Sequence, residues 1–329
     1  MGRTALVLGI SGQDGGYLAK LLLDKGYRVA GGGRVGRADN LAHLGIAERV
    51  DLHVIDPADA ERLELVIAAV RPDEVYNLSG QSSVGLSFEQ PVETLRSTSG
   101  ATTALLEAQR KSVVPFRLFA AGSAECFGDT SGQRANESTP MRPCSPYAIG
   151  KASAFWQVAT WRTAFGLHAC TGILFNHESP LRPERFVTQK IVRAACRIAA
   201  GNTAPLQLGN IDIERDWGWA PEYVEAMWRM LQADAPEDYV LATGETRPLA
   251  DFIHEAFAAV GLDWRQHVEL RPQLLRPTDV HSSLADPGKA REHLGWQART
   301  TLAGVARRMV DAEQRRLAAA PDTTEQLRQ

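Results

Sequence analysis

The chain has 329 residues, 44% apolar and 23% charged, with a formal net charge of −3. That length points to a large domain with a smaller companion, and that balance to a globular chain with ample core. The charge carries no nucleic-acid footprint, and no apolar run approaches membrane-spanning length, so no nucleic-acid or membrane partner is expected.

The first apolar run, 4–9, is too short for a secretory signal core and reads as a strand. Strand-like runs at 28–30, 51–55, 74–78 and 116–121 alternate with helix-like stretches near 15–25, 58–70 and 91–110. Such alternation predicts an α/β fold of the Rossmann type, a doubly wound parallel sheet with helices on both faces. Ligands in that architecture sit at the carboxyl ends of the strands. A helix over 145–166 and a strand over 169–175 follow. Pro180 and Pro183 then interrupt the chain before a helix from about 186 to 200 and a short strand at 206–208. We expect a dinucleotide-binding domain over 1–175, rejoined near 211–243. A smaller mixed α/β lobe from 176–210 and 244–317 would hold the substrate, and 318–329 reads as a polar tail.

Four cysteines, Cys126, Cys144, Cys170 and Cys196, form no CxxC pair and no metal-ligand spacing with histidine. No metal is expected, and reduced thiols suit a cytoplasmic protein.

The run Gly9-Ile10-Ser11-Gly12-Gln13-Asp14-Gly15 lies between the first strand and the first helix. Glycines there let backbone approach a pyrophosphate, while the helix start supplies N–H donors. Cofactor-binding candidates are therefore Gly9, Gly12, Gln13, Asp14 and Gly15. An NAD site usually carries an acid at the end of the second strand. This chain has none there, but has Arg34 and Arg37, suited to a 2′-phosphate, so NADP is the expected cofactor. Asp56, after the third strand, is placed either for the adenine amino group or to cap the next helix.

Ser145 is a good N-cap and Pro146 suits the first turn, so Tyr147 falls at a helix start with Lys151 one turn later. A nearby ammonium, the helix N-terminus and an oxidised nicotinamide ring would each favour phenolate, making Tyr147 a candidate base for a sugar hydroxyl. Ser123, after the fifth strand, is placed to hydrogen-bond the same oxygen. Glu125 suits removal of a carbon-bound proton made acidic by a neighbouring ketone. The expected catalytic set is Ser123, Glu125, Tyr147 and Lys151.

These residues resemble the extended short-chain dehydrogenase/reductase family and, within it, the GDP-mannose 4,6-dehydratases. The likeness rests on the glycine turn, Val75-Tyr76-Asn77-Leu78, Ser145-Pro146-Tyr147-Ala148, the run from Gly172 to Pro180, Arg215-Asp216-Trp217-Gly218 and Ala242-Thr243-Gly244. It implies a redox-neutral reaction: oxidation at C4 of a GDP-sugar, loss of water across C5 and C6, and return of hydride to C6. It further implies cofactor contacts from Leu78, Tyr147, Lys151 and His177. Implied substrate contacts are Ser82, Asn176, Val187, Lys190, Leu208, Asn210, Arg215, Arg276 and Asp279. Arg193 and Arg197 share a helical face with Lys190 and are read as a solvated stripe.

Departures from the family pattern are Ser for Thr at 123, Ala for Ser at 124, Pro for Gly at 183, Asp for Glu at 279 and a short 31–42 segment. Several lie near the sugar, so GDP-mannose and GDP-heptose both stand as substrates. An epimerase or reductase on the same scaffold has no need for Glu125. A cofactor-binding module without catalysis is the remaining alternative. Relatives pair the helices near 91–110 and 145–166 across a dimer, which implies a homodimer, with a tetramer open.

Overall fold

The computed structural model describes residues 2–34, 39–275 and 278–319. Arg37 and Arg276 lie outside them. Seven strands form the central sheet: β1 (Thr4–Leu8), β2 (Arg28–Gly33), β3 (Val50–Val54), β4 (Glu74–Asn77), β5 (Arg117–Ala121), β6 (Ala169–Leu174) and β7 (Tyr239–Leu241). Their order is 7-6-5-4-1-2-3 and every pairing is parallel. The order reverses between β1 and β4, which opens the ligand crevice at their carboxyl ends.

The larger helices are α1 (Gln13–Asp24), α2 (Ala60–Val70), α3 (Ala101–Lys111), α4 (Pro146–Phe165), α5 (Val187–Ala199), α6 (Ala220–Met230), α7 (Leu249–Ala258) and α8 (Leu302–Ala319). Alternation along each strand sends side chains to opposite faces. Val7 therefore packs with Leu18 and Leu22 of α1 and Met227 of α6. Leu6 and Leu8 pack on the other side with Leu63 of α2, Leu105 of α3 and Val158 of α4. All are essentially fully buried, so truncating Leu6 to alanine would cost roughly 2–5 kcal/mol. A separate core forms where α5, α7 and α8 meet, with Ile191, Phe252, Phe257 and Val305 at its centre. Ile211, Ile213 and Trp217 join this second core, while Tyr223, Met227, Tyr239 and Leu241 pack with the sheet.

Three local features differ from the sequence reading. β2 continues through Gly33 instead of stopping at Ala30, because these glycines pair with β1 and β3, and at Gly31 an added Cβ would meet Ile10 at 2.5 Å. The expected 91–110 helix is interrupted by a π-turn at Arg96–Gly100. Thr94, Thr98 and Thr102 each donate their hydroxyl to the carbonyl four residues back, and such back-bonding perturbs a helix locally. Ala318 and Ala319, assigned to a tail, complete the last turn of α8.

Candidate active site

Gly9 has φ +82°, and a Cβ there would lie 2.6 Å from the Leu78 carbonyl oxygen; a Cβ on Gly15 would strike the Gly9 carbonyl. Both glycines are required by close backbone approach. Gly12 differs: its Cβ would meet only Gly9 O, at 3.2 Å. A bare Gly12 is thus not demanded by packing, and it keeps the face of the turn open. Gly12 is also the N-cap of α1 and offers no side-chain cap, leaving first-turn N–H groups for an anion. These features fit a dinucleotide pyrophosphate.

β5 delivers the next group. Ser123 caps a short 3₁₀ turn, Ala124–Phe127, by accepting from Glu125 N at 3.3 Å. Ser145 caps α4 by accepting from Ala148 N at 3.1 Å, with Pro146 in the first turn as expected. Tyr147 and Lys151 are both buried. The Lys151 ammonium donates to the Ala121 carbonyl at 2.7 Å and stands 5.9 Å from the Tyr147 ring centre. Burial pushes Lys151 down to about 8. Burial raises the Tyr147 phenol, against a smaller lowering by the Ser123 hydroxyl. The expected drop toward phenolate is therefore not a property of the protein alone, because desolvation of the phenolate outweighs its neighbours.

His177 follows β6 and closes back on the glycine turn. Its Nε2 lies 2.9 Å from Asp14 Oδ2 and its Nδ1 lies 2.7 Å from Phe175 O. Gln13 donates to the His177 carbonyl at 3.1 Å and accepts from the Ser179 hydroxyl at 2.8 Å. Tyr223 stacks on the imidazole, with ring centres 4.5 Å apart.

The opposite wall comes from α5 and the segments after it. Phe186, at the N-cap of α5, offers no side-chain cap. Lys190 donates to Gln207 O at 2.6 Å, and Arg215 contacts Asp279 at 3.2 Å while bonding the Glu214 carbonyl at 2.9 Å. Asn210 accepts from Asp212 N at 2.9 Å.

The glycine turn, Ser123, Glu125, Tyr147, Lys151, His177, Lys190, Asn210, Arg215 and Asp279 line one cavity of about 710 Å³. Its walls include every expected catalytic, cofactor and substrate residue among those described, Ser82, Val187 and Leu208 included. Asp56 lines it too but does not cap α2. Asp59 does, accepting from Arg62 N, while Asp56 takes Ala58 N at 3.0 Å and Arg96 Nη2 at 2.6 Å. Arg34 lines the cavity paired with Glu93. Arg193 and Arg197, read as solvated, are ion-paired with Glu184. Sequence reasoning passed over Glu178, Arg182, Arg185 and Phe186, which also line the cavity. Arg182 Nε lies 3.1 Å from buried Glu178 Oε2, and its guanidinium centre lies 3.8 Å from the Phe186 ring centre. The charge run Arg182-Pro183-Glu184-Arg185 was the signal available. Among the described residues, no group of three His, Cys, Asp or Glu could hold a metal, and no helix is long and apolar enough to cross a membrane.

The profile of the GDP-mannose 4,6 dehydratase family matches residues 6–309. The chain belongs to that family. It is 44% identical to GDP-mannose 4,6 dehydratase 1 of Arabidopsis thaliana, over 94% of this chain and 90% of the relative. It is 42% identical to the GDP-mannose 4,6-dehydratase of Sinorhizobium fredii (strain HH103), over 94% and 95%. Among solved structures it is similar to a UDP-glucose 4-epimerase of Thermus thermophilus in complex with NAD, with TM-score 0.83, 26% identity and coverage of 94% and 98%. A GDP-mannose 4,6 dehydratase family member thus shares its scaffold with an epimerase.

Proposed function

We propose that this chain is a nucleotide-sugar 4,6-dehydratase that converts GDP-mannose to its 4-keto-6-deoxy derivative, using a retained nicotinamide dinucleotide, NADP by preference. The observation that carries this reading is the meeting of Ser123, Glu125, Tyr147 and Lys151 in one cavity with the open glycine turn. Curated GDP-mannose 4,6-dehydratases at 44% and 42% identity support it.

A bound nicotinamide dinucleotide would supply reversible two-electron (hydride) chemistry between C4 and C6 of the sugar. Gly12, Gln13 and the first turn of α1 would hold its pyrophosphate, and Lys151 and His177 would border its reactive end. Around that exchange the protein moves protons. Tyr147 takes the C4 hydroxyl proton, and Ser123 holds the same oxygen. A ketone at C4 acidifies C5, and Glu125 removes that proton. Ala124 has none to give, so the protonated Glu125 returns it to the departing C6 hydroxyl, which leaves as water. As hydride returns to C6, C5 takes up one proton by way of Glu125 from solvent, and Tyr147 gives up the one it accepted, so neither net oxidation nor net proton change results.

Preference for NADP is supported by Gly33-Arg34 at the end of β2, where an NAD site would carry an acid. A homodimer is supported by the paired helical faces of 91–111 and α4. Val92, Leu95, Ile149 and Trp156 are exposed there, an apolar face that a second copy of the chain would cover. Unpaired thiols at all four cysteines suit a cytoplasmic setting.

Incubation of the purified protein with GDP-mannose, without added cofactor, tests the reading. The product is expected to be lighter by one water. An epimer of unchanged mass, or consumption of added NADPH, would overturn it.

A further inference from the structure

Six lysines and arginines among the described residues line the cavity: Arg34, Lys151, Arg182, Arg185, Lys190 and Arg215. Four have a hydrogen-bond acceptor in the protein, namely Glu93 for Arg34, the Ala121 carbonyl for Lys151, the Gln207 carbonyl for Lys190 and Asp279 for Arg215, while Arg182 has an ion pair with Glu178. Arg185 differs from them. Among the described residues it has neither a hydrogen bond nor an ion pair, only a Phe186 ring whose centre lies 5.0 Å from its guanidinium. Its sequence neighbour Glu184 does not serve it, because that carboxylate is held by Arg193 and Arg197. Arg182 lies over the same ring at 3.8 Å, so two like charges share one aromatic surface. Burial and the Arg182 charge both act to lower Arg185. An exposed guanidinium with no acceptor among the described residues, standing beside a second one at the cavity wall, offers its donors to an anion.

We propose that Arg185 binds a phosphate of the sugar nucleotide's diphosphate at the rim of the cavity. The inference rests on the reading of this cavity as a sugar-nucleotide site. Position separates the two arginines. Arg182 acts electrostatically on Asp14, Tyr147 and His177, on the side of the glycine turn. Arg185 leads into α5, whose Val187, Thr188 and Lys190 form the opposite wall. The side chain is carried on a turn closed by Phe186 N donating to Pro183 O at 3.1 Å. Pro183 fixes one dihedral of that turn, so the guanidinium is presented on a pre-set backbone at the start of α5. Arg182 thus serves the cofactor half of the cavity and Arg185 the sugar-nucleotide half.

Calorimetric titration of the full chain with GDP, guanosine and NADP tests this, in wild type, Arg185→Gln and Arg185→Lys. Arg185→Gln is expected to weaken GDP at least about tenfold, the scale of one charged hydrogen bond, and to leave guanosine and NADP unchanged. Arg185→Lys should recover part of the loss, and Pro183→Gly should lose part of it. Arg185 is exposed, so an unchanged melting temperature will certify the fold of each variant. Weakened NADP with unchanged GDP would move the phosphate to the cofactor and overturn the assignment. Unchanged binding of both would remove the site. If wild type binds UDP in place of GDP, the proposed substrate fails. The same variants then read the phosphate contact on UDP, where a tenfold loss supports it and no loss overturns it.

Discussion

His177 Nε2 lies 2.9 Å from Asp14 Oδ2, joining the segment after β6 to the glycine turn across 163 positions of sequence. The other ring nitrogen faces the Phe175 carbonyl, so both nitrogens meet acceptors and the imidazole carries both protons. Burial lowers the His177 pKa, but the Asp14 charge and hydrogen bonds raise it overall; burial raises Asp14, and His177 lowers it overall. The stabilisation from His177 is complete below its unfolded value of about 6.5 and is lost as pH rises through the higher folded value. That from Asp14 is present above about 3.9 and is lost as pH falls through its lower folded value. His177→Gln should therefore lower the melting temperature by several degrees near pH 6, and by less near pH 9. A melting difference that stays flat across that range would show that the pair is not ionised. The variant should also loosen the cofactor, read by its retention through gel filtration.

Glu125→Gln separates the two halves of the reaction. C4 oxidation needs Tyr147, Lys151 and Ser123, which the change leaves alone. Removal of the C5 proton needs the carboxylate. We expect a single-turnover rise in nicotinamide absorbance with GDP-mannose, and dehydration slowed by about 10²–10⁴. Dehydration at the wild-type rate would take Glu125 out of the mechanism.

Much of this site was legible because its parts occupy strand ends. The glycine turn, Ser123 with Glu125, and Asn176 with His177 follow β1, β5 and β6, and a parallel sheet brings such ends together. What sequence could not supply was pairing. Asp56 reads equally as helix cap or adenine partner, and only the fold brings Arg96 to it from 40 positions away. Arg193 and Arg197 read as solvated because Glu184 lies on the preceding loop, outside the helical spacing. The glycine run 31–33 has low strand propensity, yet pairing with β1 and β3 on either side makes it strand. Arg185 was missed because being unpaired is a property of the fold.

Lys151 gives a stability test independent of activity. Its folded value of about 8 lies below the free value of 10.5, so the folded chain releases that proton first. Below pH 8 the buried ammonium costs on the order of 3 kcal/mol, and that cost fades as pH rises from about 8 to 10.5. Lys151→Met removes the cost but leaves the Ala121 carbonyl without its donor, which offsets part of the gain. Urea unfolding should show the variant's relative stability falling as pH rises across that window. A constant difference would mean that Lys151 titrates at its ordinary value. Activity should fall by about 10² or more at every pH.

The exposed face of α4 yields the last prediction. Trp156 is 60% exposed and Ile149 50%, beside Val92 at 80% on the neighbouring helix. The side chain of Trp156 packs edge-on against Phe155 at 5.2 Å between centres, and Phe155 faces the core. An indole of that size in water is costly to leave uncovered, and a second copy brings an identical stripe to it. Trp156→Glu should convert a dimer to a monomer in sedimentation, since two carboxylates would then face each other across a desolvated seam. Because α4 also carries Tyr147 and Lys151, loss of the partner should lower kcat by several-fold without abolishing GDP binding. A wild-type chain that sediments as a monomer at all accessible concentrations would refute the dimer, and a Trp156→Glu dimer would place the interface on another face.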